Sequence, residues 1–400
     1  MKQLISSFLF IPFGLLLQAQ EISDTKFGNG MINFIAKDSS FSVKFAPRIQ
    51  SRYQSKWSYD GEDYDPADIN FSVRRARLKF GGFAFSPKLK YKIELGLSNR
   101  DISGANVYNR NTPRYILDAV VMWNFHEKFE LWAGQTKLPG NIERVVSSAN
   151  LQLIDRSLLN SKFNIDRDMG IQLRHKLRLG GNWIIKEKFS ISQGEGRNIT
   201  EGNIGGLQYT SRLELLPFGE FSSKGDYSQG DLKREKSIKA MFGFTYDINE
   251  NAVKSRSNMG SYLIQSSGGL FETDITTIFL DGVIKYNGFA LTGEYANRDA
   301  DQIEALEEDG RTKTGAVVGA GSASNIQGSY LFKNNFEITA RYTNINFKEI
   351  TRLSDLKQIT FGVSKYVVGH SLKIQADISL LNASGIKDNV LFRTGFDLHF

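Results

Sequence analysis

Four basic residues recur at every fourth position of one stretch of the chain. In SFSVKFAPRIQSRYQSKW, Lys44, Arg48, Arg52 and Lys56 share one parity with Gln50 and Gln54, while Phe41, Val43, Phe45, Ile49, Tyr53 and Trp57 share the other. In an extended chain the two sets lie on opposite faces, and the cations form a ladder climbing about 13 Å per step. Arginine grips carboxylate or phosphate oxygens with a planar fork and lysine offers a softer point charge, so such a ladder could hold small anions and let them go. Comparable clusters are Lys88, Lys90 and Lys92 in KLKYKIELGL, Arg174, Lys176 and Arg178 in GIQLRHKLR, Arg341 in NFEITARY, and Arg75, Arg77 and Lys79 in RRARLK. In RRARLK the alternation slips, and a bulge near Arg74 would return the oily positions to one face.

Catalytic chemistry has less to stand on. Cysteine is absent and the four histidines, His126, His175, His370 and His399, show no HExxH spacing. Thiolate and zinc-hydrolase chemistry therefore lack their ligands, and no cofactor or metal is expected. No Ser or Asp nucleophile stands in an evident pairing with a histidine, although distant residues can meet in a barrel. GAVVGAGSAS has glycines near fingerprint spacing but no βαβ context, and it reads as a loop. Asp60, Glu62, Asp63, Asp65 and Asp68 cluster without the EF-hand order and read as a solvated turn.

The ladder needs a wall, and the wall is legible in repetition. Leu89, Tyr91, Ile93, Leu95 and Leu97 alternate with Lys88, Lys90, Lys92 and Glu94; Leu372, Ile374, Ala376, Ile378 and Leu380 alternate with Ser371, Lys373, Gln375, Asp377 and Ser379. One such segment would also suit a soluble sandwich. About sixteen of them, each near the 9 to 11 residues that cross a bilayer at a tilt, point to a membrane barrel. Connectors alternate long and short, the longest being 138–166, and only the stretch from Pro217 to Lys236 breaks that rule. The fold expected is all-β: a transmembrane antiparallel β-barrel of about 16 strands, its long third loop folded toward the pore. An even count returns both ends to one side of the membrane. The closing NVLFRTGFDLHF, with Val390, Phe392, Phe396, Leu398 and Phe400 on one face, would then seal against the first strand.

At the other end, MKQLISSFLFIPFGLLLQAQ places Lys2 before an apolar run broken by Pro12 and Gly14. It reads as a secretory signal peptide over residues 1–20, leaving 21–400 as the barrel with 21–40 as its lead-in. Fifteen Tyr and 29 Phe against seven Pro suit strands, and a formal net charge of +7 suggests an anionic partner. For an exported chain, nucleic acid is excluded in favour of small anions and lipid phosphates.

FSVRRARLKFGGFAFSPKLKYKIELGL, LWAGQTKLPGNIERVVSSANLQLIDRS, RDMGIQLRH and ITFGVSKYVVGHSLKIQADISLL together resemble the phosphate-selective porin O and P family of outer-membrane proteins. The resemblance implies a trimeric, 16-stranded porin of the bacterial outer membrane, in contact with lipid and lipopolysaccharide, whose lumen attracts anions such as phosphate or polyphosphate. It also implies that Arg144 and Arg156 of the third loop stand at the constriction, although the same residues would serve equally as a salt-bridged anchor. Phe400 on its alternating strand is similar to the signal read by the outer-membrane assembly machinery. The substrate pathway expected from these readings comprises Lys44, Arg48, Arg52, Lys56, Arg75, Arg77, Lys90, Lys92, Arg144, Arg156, Arg174 and Arg341. Glu94, Glu214, Asp281, Glu294 and Asp377 could also face inward and offset the basic wall, which keeps a general diffusion channel open as a reading. A barrel enzyme or surface anchor is the reading from another class.

Overall fold

The computed structural model describes residues 26–59, 61–200 and 204–400. The leader expected over residues 1–20 lies outside the described residues. Sixteen strands form the wall: β1 (Arg48–Tyr59), β2 (Asp68–Ala84), β3 (Ser86–Gly96), β4 (Ile116–His126), β5 (Phe129–Lys137), β6 (Arg167–Arg178), β7 (Ile184–Ser192), β8 (Gln208–Leu216), β9 (Lys239–Ala252), β10 (Thr273–Tyr286), β11 (Phe289–Ala300), β12 (Gly321–Leu331), β13 (Phe336–Phe347), β14 (Leu356–Val368), β15 (Leu372–Ala383) and β16 (Ile386–His399). Each pairs antiparallel with the next, and β16 returns to β1 in a register running from Asp388↔Tyr59 to His399↔Arg48. The barrel is closed, so no strand of the wall presents an unpaired edge to lipid.

Burial is inverted relative to a water-soluble fold. On β15, Lys373, Gln375, Asp377 and Ser379 are enclosed, whereas Ile374, Ile378 and Leu380 stand about half exposed on the outside. The same inversion recurs around the wall and is what a lipid-facing barrel with a polar interior requires. No helix among the described residues is long and apolar enough to cross a membrane, so the crossing is made by strands.

Three departures from the sequence reading have local causes. The first ladder is not one strand, because Pro47 has no N–H to donate and the chain breaks there into Ser42–Phe45 and β1. Below the break the chain pairs with Ile32–Ile35 and with Phe80 and Gly81 of β2, which carries Lys44 off the wall. Pro47 instead offers its carbonyl to the N–H of Phe400 at 3.1 Å, and the Phe400 ring packs edge-on against Phe27. The link between β15 and β16, which falls where the alternation calls for a long connector, is a tight turn in which Gly385 takes a left-handed φ of +74°. Finally, residues 217–238, on the end that otherwise carries short turns, fold into the lumen. The bulge expected near Arg74 is present: Gln50 pairs with Arg75 and Ser51 with Val73, leaving Arg74 as the extra residue.

The third loop, 138–166, folds inward as a series of short turns, Ile142–Val145, Ser148–Asn150 and Leu158–Phe163. Wall carboxylates receive its first turn: Asp281 accepts the Ile142 N–H at 3.1 Å and Glu294 accepts that of Glu143 at 2.5 Å. Both groups meet the positive end of a helical turn, where anions are stabilised. Wall cations take its carbonyls. Lys373 donates to Ala149 and Leu151 at 2.8 and 2.6 Å, and Arg298 to Lys162 and Phe163 at 2.9 and 2.6 Å. Leu159, Phe163 and Ile165 then rest on Phe279, Ala296 and Ile345 of the wall in a small dry cluster. Burying each large side chain there contributes on the order of 1.5–3 kcal/mol.

Candidate functional site

The loop meets a second inward segment. Tyr227, Gln229 and Asp231 of the 217–238 connector rise from the short-turn end, and the Gln229 N–H donates to the Asn150 carbonyl of the loop at 2.9 Å. The Gln152 N–H returns a bond to Gln229 Oε1 at 2.9 Å. Lys285 of β10 donates to the connector carbonyls of Gly225, Ser228 and Gly230 at 2.7, 2.7 and 2.5 Å. Phe221 packs with Ile142 and Leu151 of the loop and with Leu216, Met241 and Val283 of the wall. Loop and connector therefore fill the lumen along β8–β15, and space remains on the other side.

That space holds two adjoining cavities. The outer one, of about 1110 Å³, is lined by twelve arginines and two lysines against three carboxylates, Asp101, Asp155 and Asp166. The inner one, of about 220 Å³, is bounded by β2–β7 and the loop. Arg77 and Arg167 line both, so the two adjoin at these side chains. Arg77 bonds Glu94 at 2.9 Å and Asp101 at 3.1 Å, and Arg167 bonds Asp118 at 3.0 Å.

Asp155 of the loop lines the outer cavity and gathers its arginines. Arg52 reaches it at 2.7 Å, Arg74 at 2.6 Å, and Arg75 and Arg393 at 3.5 Å. The bulge on β2 is what allows two consecutive residues, Arg74 and Arg75, to turn inward together. Burial alone would raise the Asp155 carboxyl, but Arg74, Arg75, Arg393 and Arg52 hold it well below the usual carboxylate range. Asp155 thus faces four positive charges, of which Arg393 is shared with Asp377 at 2.6 Å.

Other cations here are held by carbonyl oxygens, which orient a guanidinium without cancelling its charge. Arg156 donates to the Glu143 and Val146 carbonyls at 2.8 and 2.7 Å, and Arg197 to the Arg114 carbonyl at 3.0 Å. Burial is the first cause pushing both down to about 10, so both are cationic at neutral pH. Arg144 is paired, through Nε to Asp166 at 2.5 Å.

Of the residues singled out from the sequence, Arg75, Arg77, Arg144 and Arg156 line the outer cavity, and Lys92, Arg174 and again Arg77 the inner one. Arg52 lies behind them on Asp155. Arg48 is enclosed, bound to Asp397 at 2.6 Å and to Ser148 Oγ at 2.7 Å, and Arg341 donates to the Asp155 carbonyl at 3.0 Å; both hold the loop. Lys44 is exposed on the segment below the wall, Lys56 sits across from Asp68 on β2, and Lys90 is exposed near the short-turn end of β3. The five acidic residues weighed as inward do face inward and are enclosed. They are engaged: Glu214 and Asp281 hold Arg212 at 2.7 Å each, Asp377 holds Arg393 at 2.6 Å, Glu94 holds Arg77, and Glu294 holds the loop. Sequence reading passed over Arg74, Arg167, Arg197, Arg256 and Arg393 as lining residues. Arg393 was visible as a charged residue on the polar parity of the last strand; the loop residues carry no periodic signal.

Set beside known proteins, the chain matches the family described as phosphate-selective porin O and P over residues 47–382. Its fold is similar to the outer membrane channel DcaP of Acinetobacter baumannii, at 12% identity over 92% of this chain and 99% of that one, with a TM-score of 0.57. It is similar to an anion-selective porin from Comamonas acidovorans, at 13% identity over 90% and 100% of the two chains, TM-score 0.53. OmpT, an outer membrane protein of Vibrio cholerae solved in a trimer form, is alike at 13% identity over 90% and 100%, TM-score 0.52. At such identities the likeness speaks for the fold.

Proposed function

The chain belongs to the phosphate-selective porin O and P family and is a porin of the bacterial outer membrane, and we propose that it passes small anions, phosphate or polyphosphate first, by passive diffusion and without catalysis or cofactor. The observation that carries this reading is the lining of the outer cavity, with its fourteen cationic side chains against three carboxylates. Such a surface concentrates anions and repels cations by the sum of its charges. A phosphate leaving bulk water exchanges part of its hydration for guanidinium N–H groups, chief among them Arg156 and Arg197, which have no carboxylate within salt-bridge distance among the described residues. No single position encloses it, so it moves between neighbouring cations and past Arg77 and Arg167 into the inner cavity. Release follows because several weak sites share the ion. The anion selectivity that names the Comamonas protein supports the same sign here, and the trimer form of the Vibrio protein supports a homotrimer. The closing strand β16 is the segment we propose the assembly machinery reads.

Purified protein in planar bilayers tests the reading. Open steps with reversal potentials biased toward chloride in a salt gradient, and reduction of that current by added phosphate, are expected. Cation-biased or unbiased reversal potentials would remove anion selectivity from the account, and absence of steps would remove the open channel.

A further inference from the structure

The inner cavity carries a feature that bare phosphate cannot use. Trp132 of β5 faces inward, against the polar rule of the wall, and lines this cavity. Its Nε1–H donates to Glu130 at 3.1 Å, which fixes the ring, and the Arg174 guanidinium lies over one face with Cζ 3.5 Å from the centroid. Arg174 is bonded otherwise only to Gln172, at 2.7 Å; its Nε is enclosed without a hydrogen-bond partner, and no carboxylate lies within salt-bridge distance among the described residues. It differs in this from Arg77 and Arg167, both paired with carboxylates. Leu138, Pro139 and Val145 of the loop add an apolar arc to the same cavity; of the other charged groups that line it, Lys188 is paired with Glu214 at 2.6 Å, and Glu94 and Asp118 with Arg77 and Arg167.

An indole face, an apolar arc and an arginine without a carboxylate form an amphipathic pocket. We infer that the inner cavity is a second binding subsite, for organic anions that carry their charge on a flat carbon body about one ring wide, aromatic carboxylates being the simplest class. The charged head takes the Arg174 guanidinium, and the ring lies along Trp132 and the loop residues. Ring–ring contact and desolvation of the flat body add binding that an inorganic anion or acetate forgoes. The volume of about 220 Å³ admits one such body and not a chain of them. This inference rests on the anion-selective reading of the channel, and it predicts discrimination among anions that charge alone does not give.

The test is block of chloride current in bilayers by benzoate, acetate and inorganic phosphate, in wild type, Trp132→Ala and Trp132→Phe. The expected result is half-block by benzoate at a concentration about tenfold below that for acetate. Trp132→Ala should erase that difference while phosphate block stays as in wild type, and Trp132→Phe should keep most of it. Equal block by benzoate and acetate in wild type overturns the subsite whatever the variants do, and so does an unchanged ratio in Trp132→Ala. Unbiased reversal potentials in wild type are a separate failure, that of the parent reading.

Discussion

Replacing Asp155 by asparagine removes the negative charge that faces four guanidiniums and keeps the side chain's shape. In the wild type that carboxylate lies 2.6 to 3.5 Å from Arg52, Arg74, Arg75 and Arg393 and draws their field inward. For a monovalent phosphate about 6 Å away, losing the repulsion of one unit charge is worth about 0.7 kcal/mol in bulk water and about 2.8 kcal/mol at the effective permittivity of a protein surface. The cavity is wet and walled by protein, so the truth lies between these limits. Half-block by phosphate should then fall by a factor between about three and a hundred. The assay is phosphate titration of single-channel chloride current at neutral pH, with Asp155→Glu as the charge-keeping control. Acid should not reproduce the effect. Asp155 is held well below its ordinary 3.8, so its anchoring of the loop is complete above the ordinary carboxylate range and is lost only as pH falls through that depressed value. Taking the wild type from pH 7 to pH 5 should leave the carboxylate charged. Unchanged or weaker phosphate block in Asp155→Asn, with Asp155→Glu behaving as wild type, would refute the placement of this cluster on the ion path.

Three further outcomes follow from the geometry. Replacing residues 218–237 by a short turn, which the antiparallel pairing of β8 and β9 permits, should raise single-channel conductance severalfold, because that segment fills the lumen against the loop; unchanged conductance would show that the filled side was never limiting. Arg156→Ala should move the reversal potential toward zero with the fold intact, whereas Arg48→Ala strands a buried Asp397 and should cost on the order of 3–5 kcal/mol in unfolding experiments with little change in selectivity. Glu195, in the loop after β7, is pushed up to about 7 by burial, so its contribution to holding that loop is fully present below its ordinary 4.5 and is lost as pH rises through about 7. Proteolysis of the 193–207 loop should therefore be slower at pH 5 than at pH 8 in the wild type, and Glu195→Gln should flatten that difference.

Much of the wall could be read from the chain because a barrel strand states its two faces locally. Lys373, Gln375, Asp377 and Ser379 show their parity within seven residues, and the slip at RRARLK required the bulge that sets Arg74 and Arg75 side by side. What a given inward cation does was not legible, since its partner lies far away in sequence. Arg48 and Arg52 look alike on the first ladder, yet Arg48 meets Asp397 at a separation of 349 residues and is taken up by the loop, while Arg52 meets Asp155. The connector showed the same limit. Its length marked it as exceptional, but its destination is set by Lys285, His370 and Asn150, none of them near it in the chain.

The four guanidiniums around Asp155 come from β1, β2 and β16, so the cluster straddles the line along which the first and last strands join. Until that line is zipped, Arg393 stands nearly the whole length of the polypeptide away from Arg52. A partly assembled molecule consequently lacks this arginine cluster, and the cluster and the closed wall are completed as a single event.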